Sequence, residues 1–346
     1  MIQSKTIDGE TIRIPLTYRN YKFIRPIGPC QNGVVIEAIH KQSGQIFACK
    51  VLLKKYYTNE SSARMRSLER ETRIQSTLNH PNIVRCHETL YTDDYFILVL
   101  DYCRYGDLIS YMKNFRHMTI IRKLTIMRQI LDAIIYLHSK GIVHRDIKLE
   151  NIFINENHQA MLGDFGCCEV ISENKKGIYD TRGTLCYASP ECLKGKIKDP
   201  RMSDVWSYGI TFFSFLTDHL PWSSPDGDQM KQEILSGNEI GLPENMPNDC
   251  CDLIWSATEF EQEKRATAEK LRKLPVFQYI EEDFDNFKSS SSTNSESKFQ
   301  DQTYSTRCIF KKNKLVIQPK INMECYFGAS QRSIHRQSIL KMHAKK

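Results

Sequence analysis

His144-Arg145-Asp146-Ile147-Lys148-Leu149-Glu150-Asn151, followed by Asp164-Phe165-Gly166 eighteen residues after Asp146, is the stretch from which the rest of the chain can be read. It lies in a segment, residues 142–166, where short apolar runs alternate with clustered polar residues, the texture of a rigid loop scaffold that carries chemistry. Transfer of a phosphoryl group needs a group to orient the attacking hydroxyl, a cation to hold the moving phosphoryl and oxygen ligands for Mg²⁺. One short loop offers all of these. Taken singly each residue is an ordinary polar loop residue; the whole string at this spacing is not a chance arrangement.

Working towards the N-terminus, residues 21–101 predict a small sheet with one helix. Phe23-Ile24 through Ile27, Val34-Val35-Ile36, Ile46-Phe47-Ala48 and Phe96-Ile97-Leu98-Val99-Leu100 are short β-rich runs, and the polar turn Lys41-Gln42-Ser43-Gly44 joins the second to the third. Glu60 to Leu78 is charged and free of Gly and Pro, and His80-Pro81 stops it, which predicts a helix. Ile27-Gly28-Pro29-Cys30-Gln31-Asn32-Gly33-Val34-Val35 sits between two strand patterns, where glycines let backbone N–H groups approach phosphates. The same glycines would also serve an ordinary hairpin turn. Phe47-Ala48-Cys49-Lys50 places a lysine on an apolar strand, either beside a partner or as a snorkelling edge residue.

Towards the C-terminus the pattern is helical. Ile120, Leu124, Met127, Leu131 and Ile134 alternate spacings of four and three, with Gly141 just beyond, which predicts a core-facing amphipathic helix. Val205 to Leu216 is too short to span a bilayer and is interrupted by Ser207, Tyr208, Gly209, Thr211 and Ser214, so it reads as a buried helix. Helices are expected to about Ile280. Residues 281–346 read as a basic, Ser-rich, disordered tail with no sustained period.

Composition narrows the class. Forty per cent apolar residues in 346 suffice for a sizeable core. The twelve cysteines are scattered without zinc-site spacing, and Cys167-Cys168 and Cys250-Cys251 are adjacent, which predicts a reduced intracellular chain. The N-terminal residues lack a basic region and an apolar run, so no secretory signal is expected and the protein is placed in the cytoplasm or nucleus. The net charge of +7 is unevenly spread: residues 288–346 hold twelve Lys/Arg against three Asp/Glu, a surplus of nine, so the rest is slightly acidic. Affinity for a polyanion would belong to the tail. No recognition motif accompanies that charge, and no nucleic-acid partner is expected.

On these motifs the chain, over residues 21–280, resembles the eukaryotic serine/threonine protein kinases. The resemblance implies an α+β, two-lobed fold: a small β-rich lobe (21–101) with one helix, and a larger, mainly helical lobe (104–280), after an N-terminal extension (1–20). ATP and Mg²⁺ are implied in the cleft. Asp146 matches the catalytic base, and Lys148 the lysine that neutralises the transferring phosphoryl. Asn151 and Asp164 match the metal ligands. Lys50 matches the strand lysine on the α- and β-phosphates, with Glu71 as its ion-pair partner. Ile27, Gly28, Gly33, Val35 and Ala48 would border the nucleotide. Asp101-Tyr102-Cys103 matches the hinge whose backbone meets adenine, with Leu100 as gatekeeper and Asp107 placed for the ribose or a basic substrate residue. Ser189-Pro190-Glu191 resembles the end of an activation segment, with Arg265 as its buried partner, and Asp204 resembles the residue that anchors the catalytic loop from beneath.

The sequence also departs from the family pattern. Cys30 replaces the middle glycine of the phosphate loop, either as a tolerated substitution or as a redox-sensitive thiol. Gln75 stands where an apolar residue stacks towards Phe165 and His144, at a cost of roughly 1 to 3 kcal/mol if it finds no partner. Asp180 occupies the position of an activating phosphothreonine and is expected to pair with Arg145, with Thr181 beside it as an alternative phosphosite. Lys148 and Gly183-Thr184-Leu185-Cys186-Tyr187-Ala188-Ser189-Pro190-Glu191 favour Ser/Thr acceptors of protein substrates. Asp107 and Glu150 imply a basic residue upstream of the acceptor. The texture of LNHPNIV, LVLDYCRYGDL and GTLCYASPE is closest to the calmodulin-dependent and AMP-activated kinase group. The competing possibility is a catalytically silent relative that binds nucleotide as a scaffold. An upstream kinase or regulator is a further expected partner, and the tail, with Arg332-Ser333 and Arg336-Gln337-Ser338, reads as a solvated arm or an internal substrate.

Overall fold

The computed structural model describes residues 1–5, 9, 11–30, 32–57, 63–171 and 183–278. Strands β1 (Ile2–Lys5) and β2 (Thr11–Ile14) form a hairpin. Strands β3 (Thr17–Tyr18), β4 (Tyr21–Cys30), β5 (Gly33–His40) and β6 (Ile46–Leu53) follow, then helix α1 (Ala63–Thr77), then β7 (Cys86–Tyr91) and β8 (Tyr95–Asp101). The six strands from β3 to β8 make one antiparallel sheet in the order β3-β4-β5-β6-β8-β7.

Strand alternation gives that sheet two different faces. Along β6, Phe47, Cys49 and Val51 turn to the outer face and join Val34, Ile36 and Ala38 of β5 in one buried cluster. Ala48 and Lys50, one residue out of phase, belong to the opposite face. The outer face is roofed by the β1–β2 hairpin, whose Ile12 and Ile14 are fully buried in the same cluster and whose Arg13 carbonyl accepts a hydrogen bond from the Tyr95 hydroxyl at 2.8 Å. Each buried isoleucine contributes roughly 1.5–3 kcal/mol. Both strands of the hairpin are therefore packed structure, though β1 offers one apolar position to read and β2 only two.

The chain leaves β8 at Asp101 and enters the helical half through α2 (Leu108–Asn114) and α3 (Ile120–Ser139). The expected stripe of α3 is its buried face: Leu124, Met127, Leu131 and Ile134 are all buried, Thr119 caps the first turn by accepting from Arg122 N, and the helix stops just before Gly141. Two short antiparallel pairs scaffold the motif-bearing loop: β9 (Ile142–Val143) with β12 (Glu169–Val170), and β10 (Ile152–Ile154) with β11 (Ala160–Leu162). Helices α4 (Pro190–Lys194), α5 (Pro200–Thr217), α6 (Gly227–Ser236), α7 (Asn248–Ala257) and α8 (Ala268–Arg272) complete the lobe. Helix α5 begins on the Asp199 cap with Pro200 in its first turn and is buried from Met202 to Phe215, as its sequence implies. A single core cluster joins α3, α5 and α7 with β10 and β11. Among the described residues no helix is long and apolar enough to cross a membrane.

Candidate active site

The motif loop is fixed from below. Asp204, buried near the start of α5, accepts hydrogen bonds from His144 N at 2.9 Å, Arg145 N at 2.8 Å and His138 Nε2 at 2.9 Å. Burial alone would raise its pKa; the bond from His138, the nearby His144 and the Arg145 amide outweigh this and hold the carboxyl below the usual range. The bond to Arg145 N holds a non-glycine residue at φ 69°, which costs of order 1–2 kcal/mol unassisted.

Above this anchor, three side chains close a circuit and a fourth braces it. Lys148 Nζ lies 2.7 Å from Asp146 Oδ2 and donates to Thr184 Oγ1 at 2.7 Å, and Thr184 Oγ1 in turn donates to Asp146 Oδ1 at 2.9 Å. Asn151 Nδ2 donates to the Asp146 carbonyl at 2.7 Å and to Asp146 Oδ2 at 2.9 Å. Burial would lower the Lys148 pKa, but Asp146 and Glu150 raise it on balance, so the ammonium is kept charged. The segment carrying Thr184 approaches so closely that a Cβ on Gly183, where φ is +113°, would lie 2.7 Å from the Arg145 carbonyl oxygen. Only glycine fits that contact.

Lys50 reaches into the same cleft from the inner face of β6. Its Nζ lies 2.6 Å from Glu71 Oε1 on α1 and 3.5 Å from Asp164 Oδ1. Burial again works against the charge, and Glu71 followed by Asp164 overcomes it, holding the Lys50 pKa well above its ordinary value. Asp164 sits at φ 58°, and its half-exposed carboxylate is kept ionised chiefly by Lys50. The ion pair is made because α1 packs against the Asp164-Phe165-Gly166 turn, where Ser67 Oγ donates to the Gly166 carbonyl at 3.4 Å. Gln75 does not push the helix away: it is buried and donates to the Val84 carbonyl at 3.1 Å, so the cost of an unsatisfied amide is not incurred. His144 and Phe165 meet edge to face at 5.1 Å.

The residues expected to border a nucleotide occupy the roof and back of this cleft. Ile27 and Gly28 belong to β4 and Val35 to β5, while Ala48 on β6 lies opposite Leu100 on β8. Space is open around Gly28, whereas a Cβ on Gly33 would fall 2.1 Å from the Val51 carbonyl oxygen. The first glycine leaves room above the cleft; the second is required by strand packing, a reason the motif does not reveal. Asp101 directs its carboxylate away, to Arg85 N at 2.9 Å and His87 Nε2 at 2.7 Å, and so offers the cleft only its backbone. Cys103 Sγ lies 3.9 Å from Met161 Sδ, so Met161 supports the hinge although no sequence motif marks it. Asp107 caps α2 by accepting from Ser110 N at 2.7 Å. A second unmarked feature ties roof to hinge: Arg25 pairs with Glu37 at 2.6 Å and the Tyr102 hydroxyl donates to Glu37 at 3.1 Å. Burial pushes the Cys30 thiol up to about 12, so it is a protonated thiol rather than a redox-poised thiolate.

Below the segment that carries Thr184, Arg265 donates to Glu191 at 2.6 and 3.1 Å. Ser189 is fully buried, with its hydroxyl 3.2 Å from that of Ser203, which in turn donates to Glu191 at 3.1 Å. Arg145 pairs with Glu169 at 2.5 Å. Asp180, Thr181 and the tail lie outside the described residues.

The donor set fits a hydrated divalent cation shared with phosphate. Asn151 spends its N–H groups on Asp146, which leaves its carbonyl oxygen for a cation, and Asp164 presents an ionised carboxylate. Among the described residues there is no cluster of three or more His, Cys, Asp or Glu suited to an all-protein metal cage. Two oxygen ligands with phosphates and water are what Mg²⁺ accepts.

A two-lobed fold with an ionised lysine, a loop carboxylate and two metal-competent oxygens facing one cleft is the architecture of a protein kinase domain. The family model for the protein kinase domain matches residues 21–277, and the chain belongs to that family. It is 33% identical over 260 residues to a probable serine/threonine-protein kinase MARK-A of Dictyostelium discoideum and 31% identical over 267 residues to 3-phosphoinositide-dependent protein kinase B of the same organism. Those matches cover 75% and 76% of this chain but only 24% and 29% of the relatives.

Proposed function

We propose that the chain is a serine/threonine protein kinase that moves the γ-phosphoryl group of ATP to protein hydroxyls. The observation that carries this is the convergence of the Asp146–Thr184–Lys148 circuit with the Lys50–Glu71–Asp164 group on one cleft. Asp146 would orient the acceptor hydroxyl and take its proton as the new O–P bond forms and the bridging bond to ADP breaks. Lys148 would offset charge on the transferring phosphoryl, and Lys50, fixed by Glu71, would hold the α- and β-phosphates. Bound at Asn151 and Asp164, Mg²⁺ would supply charge neutralisation at the phosphate oxygens. Nothing favours a silent scaffold, since Lys50, Glu71, Asp146, Asn151 and Asp164 are all present. The group-level likeness to calmodulin-dependent and AMP-activated kinases rests on sequence texture alone. The reducing interior of a cell, cytoplasm or nucleus, fits both ATP as substrate and the free cysteines among the described residues.

The preferred acceptor carries a basic residue upstream. Glu150 Oε2 is buried without a hydrogen-bond partner among the described residues, and Asp107 adds negative charge nearby. A guanidinium N–H of an arginine would donate to that oxygen. Labelled phosphate from ATP should appear on Ser or Thr of a peptide library enriched in upstream Arg, and the Arg preference should fade in Glu150→Gln. Transfer to Tyr, or equal use of Arg-free peptides by the unmodified protein, would overturn this assignment.

A further inference from the structure

The turn between β10 and β11 carries a residue that the site described above does not use. His158 sits at φ 58°, a left-handed conformation that costs a residue with a Cβ of order 1–2 kcal/mol. Its backbone N donates to the Asn155 carbonyl at 3.0 Å, and the Arg122 guanidinium donates to its carbonyl oxygen. The ring that this strained backbone holds out is engaged at both nitrogens: Nδ1 is 2.9 Å from the Tyr111 hydroxyl and Nε2 is 3.3 Å from the Tyr105 hydroxyl. It also stacks on the Tyr105 ring, with centroids 4.5 Å apart and planes 19° from parallel.

The two tyrosines bracket Asp107, one two residues before it and the other four residues after. The main chain between them is pinned to the same structural unit: Tyr105 N donates to the Ile154 carbonyl at 3.1 Å and Ile154 N donates to the Gly106 carbonyl at 2.9 Å. Asp107 itself accepts from Ser110 N through Oδ1 and from Tyr111 N through its carbonyl. The backbone that carries the Asp107 carboxylate is thus held between two side chains that both rest on His158.

We infer that His158 is a positioning residue: by clamping Tyr105 and Tyr111 it sets the place of the Asp107 carboxylate at the cleft edge, and with it the affinity for the ribose or cationic substrate group that Asp107 takes. This rests on reading Asp107 as a ligand-binding carboxylate. His158 touches no reacting atom, so its loss should weaken binding and spare the chemical step.

The test compares His158→Gly, which removes the clamp and relieves the backbone strain, with His158→Asn, which tolerates the left-handed conformation and can keep one tyrosine bond. Asp107→Ala is measured in parallel. KM for ATP, KM for an Arg-containing peptide and kcat are determined for each, after thermal melting confirms folded protein at the assay temperature. Whichever KM rises in Asp107→Ala should rise in His158→Gly by roughly three- to tenfold, the size of one or two ordinary hydrogen bonds. His158→Asn should fall between, with kcat of both His158 variants within about twofold of the unmodified protein. If His158→Gly fails to fold, Tyr111→Phe gives the same readout. Unchanged KM in His158→Gly beside a raised KM in Asp107→Ala overturns the clamp alone. Unchanged KM in Asp107→Ala overturns the clamp together with the reading of Asp107.

Discussion

Two clusters of ionised groups lie on either side of the segment from Gly183 to Glu191, and they are built from the same residue types. In the lower one, the Arg265 side chain is fully buried and spends its donors on Glu191, the Met202 carbonyl and the Glu259 carbonyl, while Asp204 is met by three donors. In the upper one, Asp164 keeps a half-exposed carboxylate and Glu150 keeps a buried oxygen with no partner among the described residues. Charge and burial alone do not separate structural from chemical residues. Among these ionised groups unspent bonding capacity does: the saturated cluster holds the loop, and the unsaturated one is open to a ligand.

The difference can be broken most strongly from below. Arg265→Ala leaves Glu191 buried and unpaired, and should cost about 3–5 kcal/mol in equilibrium unfolding. A loss under about 1 kcal/mol would mean that the lower cluster holds nothing, against the median worth of exposed pairs. Ile14→Ala supplies an apolar counterpart in the roof of the sheet, where deletion of a fully buried side chain should cost about 2–4 kcal/mol in the same measurement. A near-neutral result would detach the β1–β2 hairpin from the core.

Glu150 sharpens the comparison through pH. Burial first, and the neighbouring carboxylates after it, push its pKa up to about 7 despite the opposing pull of Lys148. Between the ordinary carboxylate range and about 7 the folded chain holds a proton that the unfolded chain has released, so this group makes stability fall as pH rises through that window. Glu150→Gln should remove that dependence and stabilise the protein above the window by on the order of 2 kcal/mol, read from melting at acid and alkaline pH. Identical pH profiles for the two proteins would refute the buried carboxylate. The smallest effect is expected at Cys30: with its pKa near 12, the thiol should stay unmodified by iodoacetamide at neutral pH in the folded protein, as mass spectrometry would show.

Much of the upper cluster is legible in sequence, because its chemistry demands several unlike groups within one short loop and leaves a dense signature at residues 144–151 and 164–166. Strands such as β6 and β8 are legible from their apolar runs. Strand β7 is not, since Cys86-His87-Glu88-Thr89-Leu90-Tyr91 has few apolar residues and owes its form to pairing with β8. The β1–β2 hairpin escapes for a related reason: Ile12 and Ile14 acquire meaning only once the outer face of the sheet exists. Gln75 shows the opposite limit. Its polarity predicts a cost, and the cost vanishes because Val84, nine residues away, presents a carbonyl in reach. Met161 and His158 are placed by turns and strands that bring distant segments together, and no local pattern announces either.

The central claim is that the upper cluster acts on phosphate while the lower one only holds it in place, and Asp146→Ala tests it most directly. Phosphoryl transfer from ATP with Mg²⁺ to a Ser/Thr peptide should fall by about 10²–10⁴-fold in kcat, while the melting temperature stays within a few degrees of the unmodified protein. An unchanged rate in a folded Asp146→Ala protein, or no transfer at all from the unmodified protein, would contradict it.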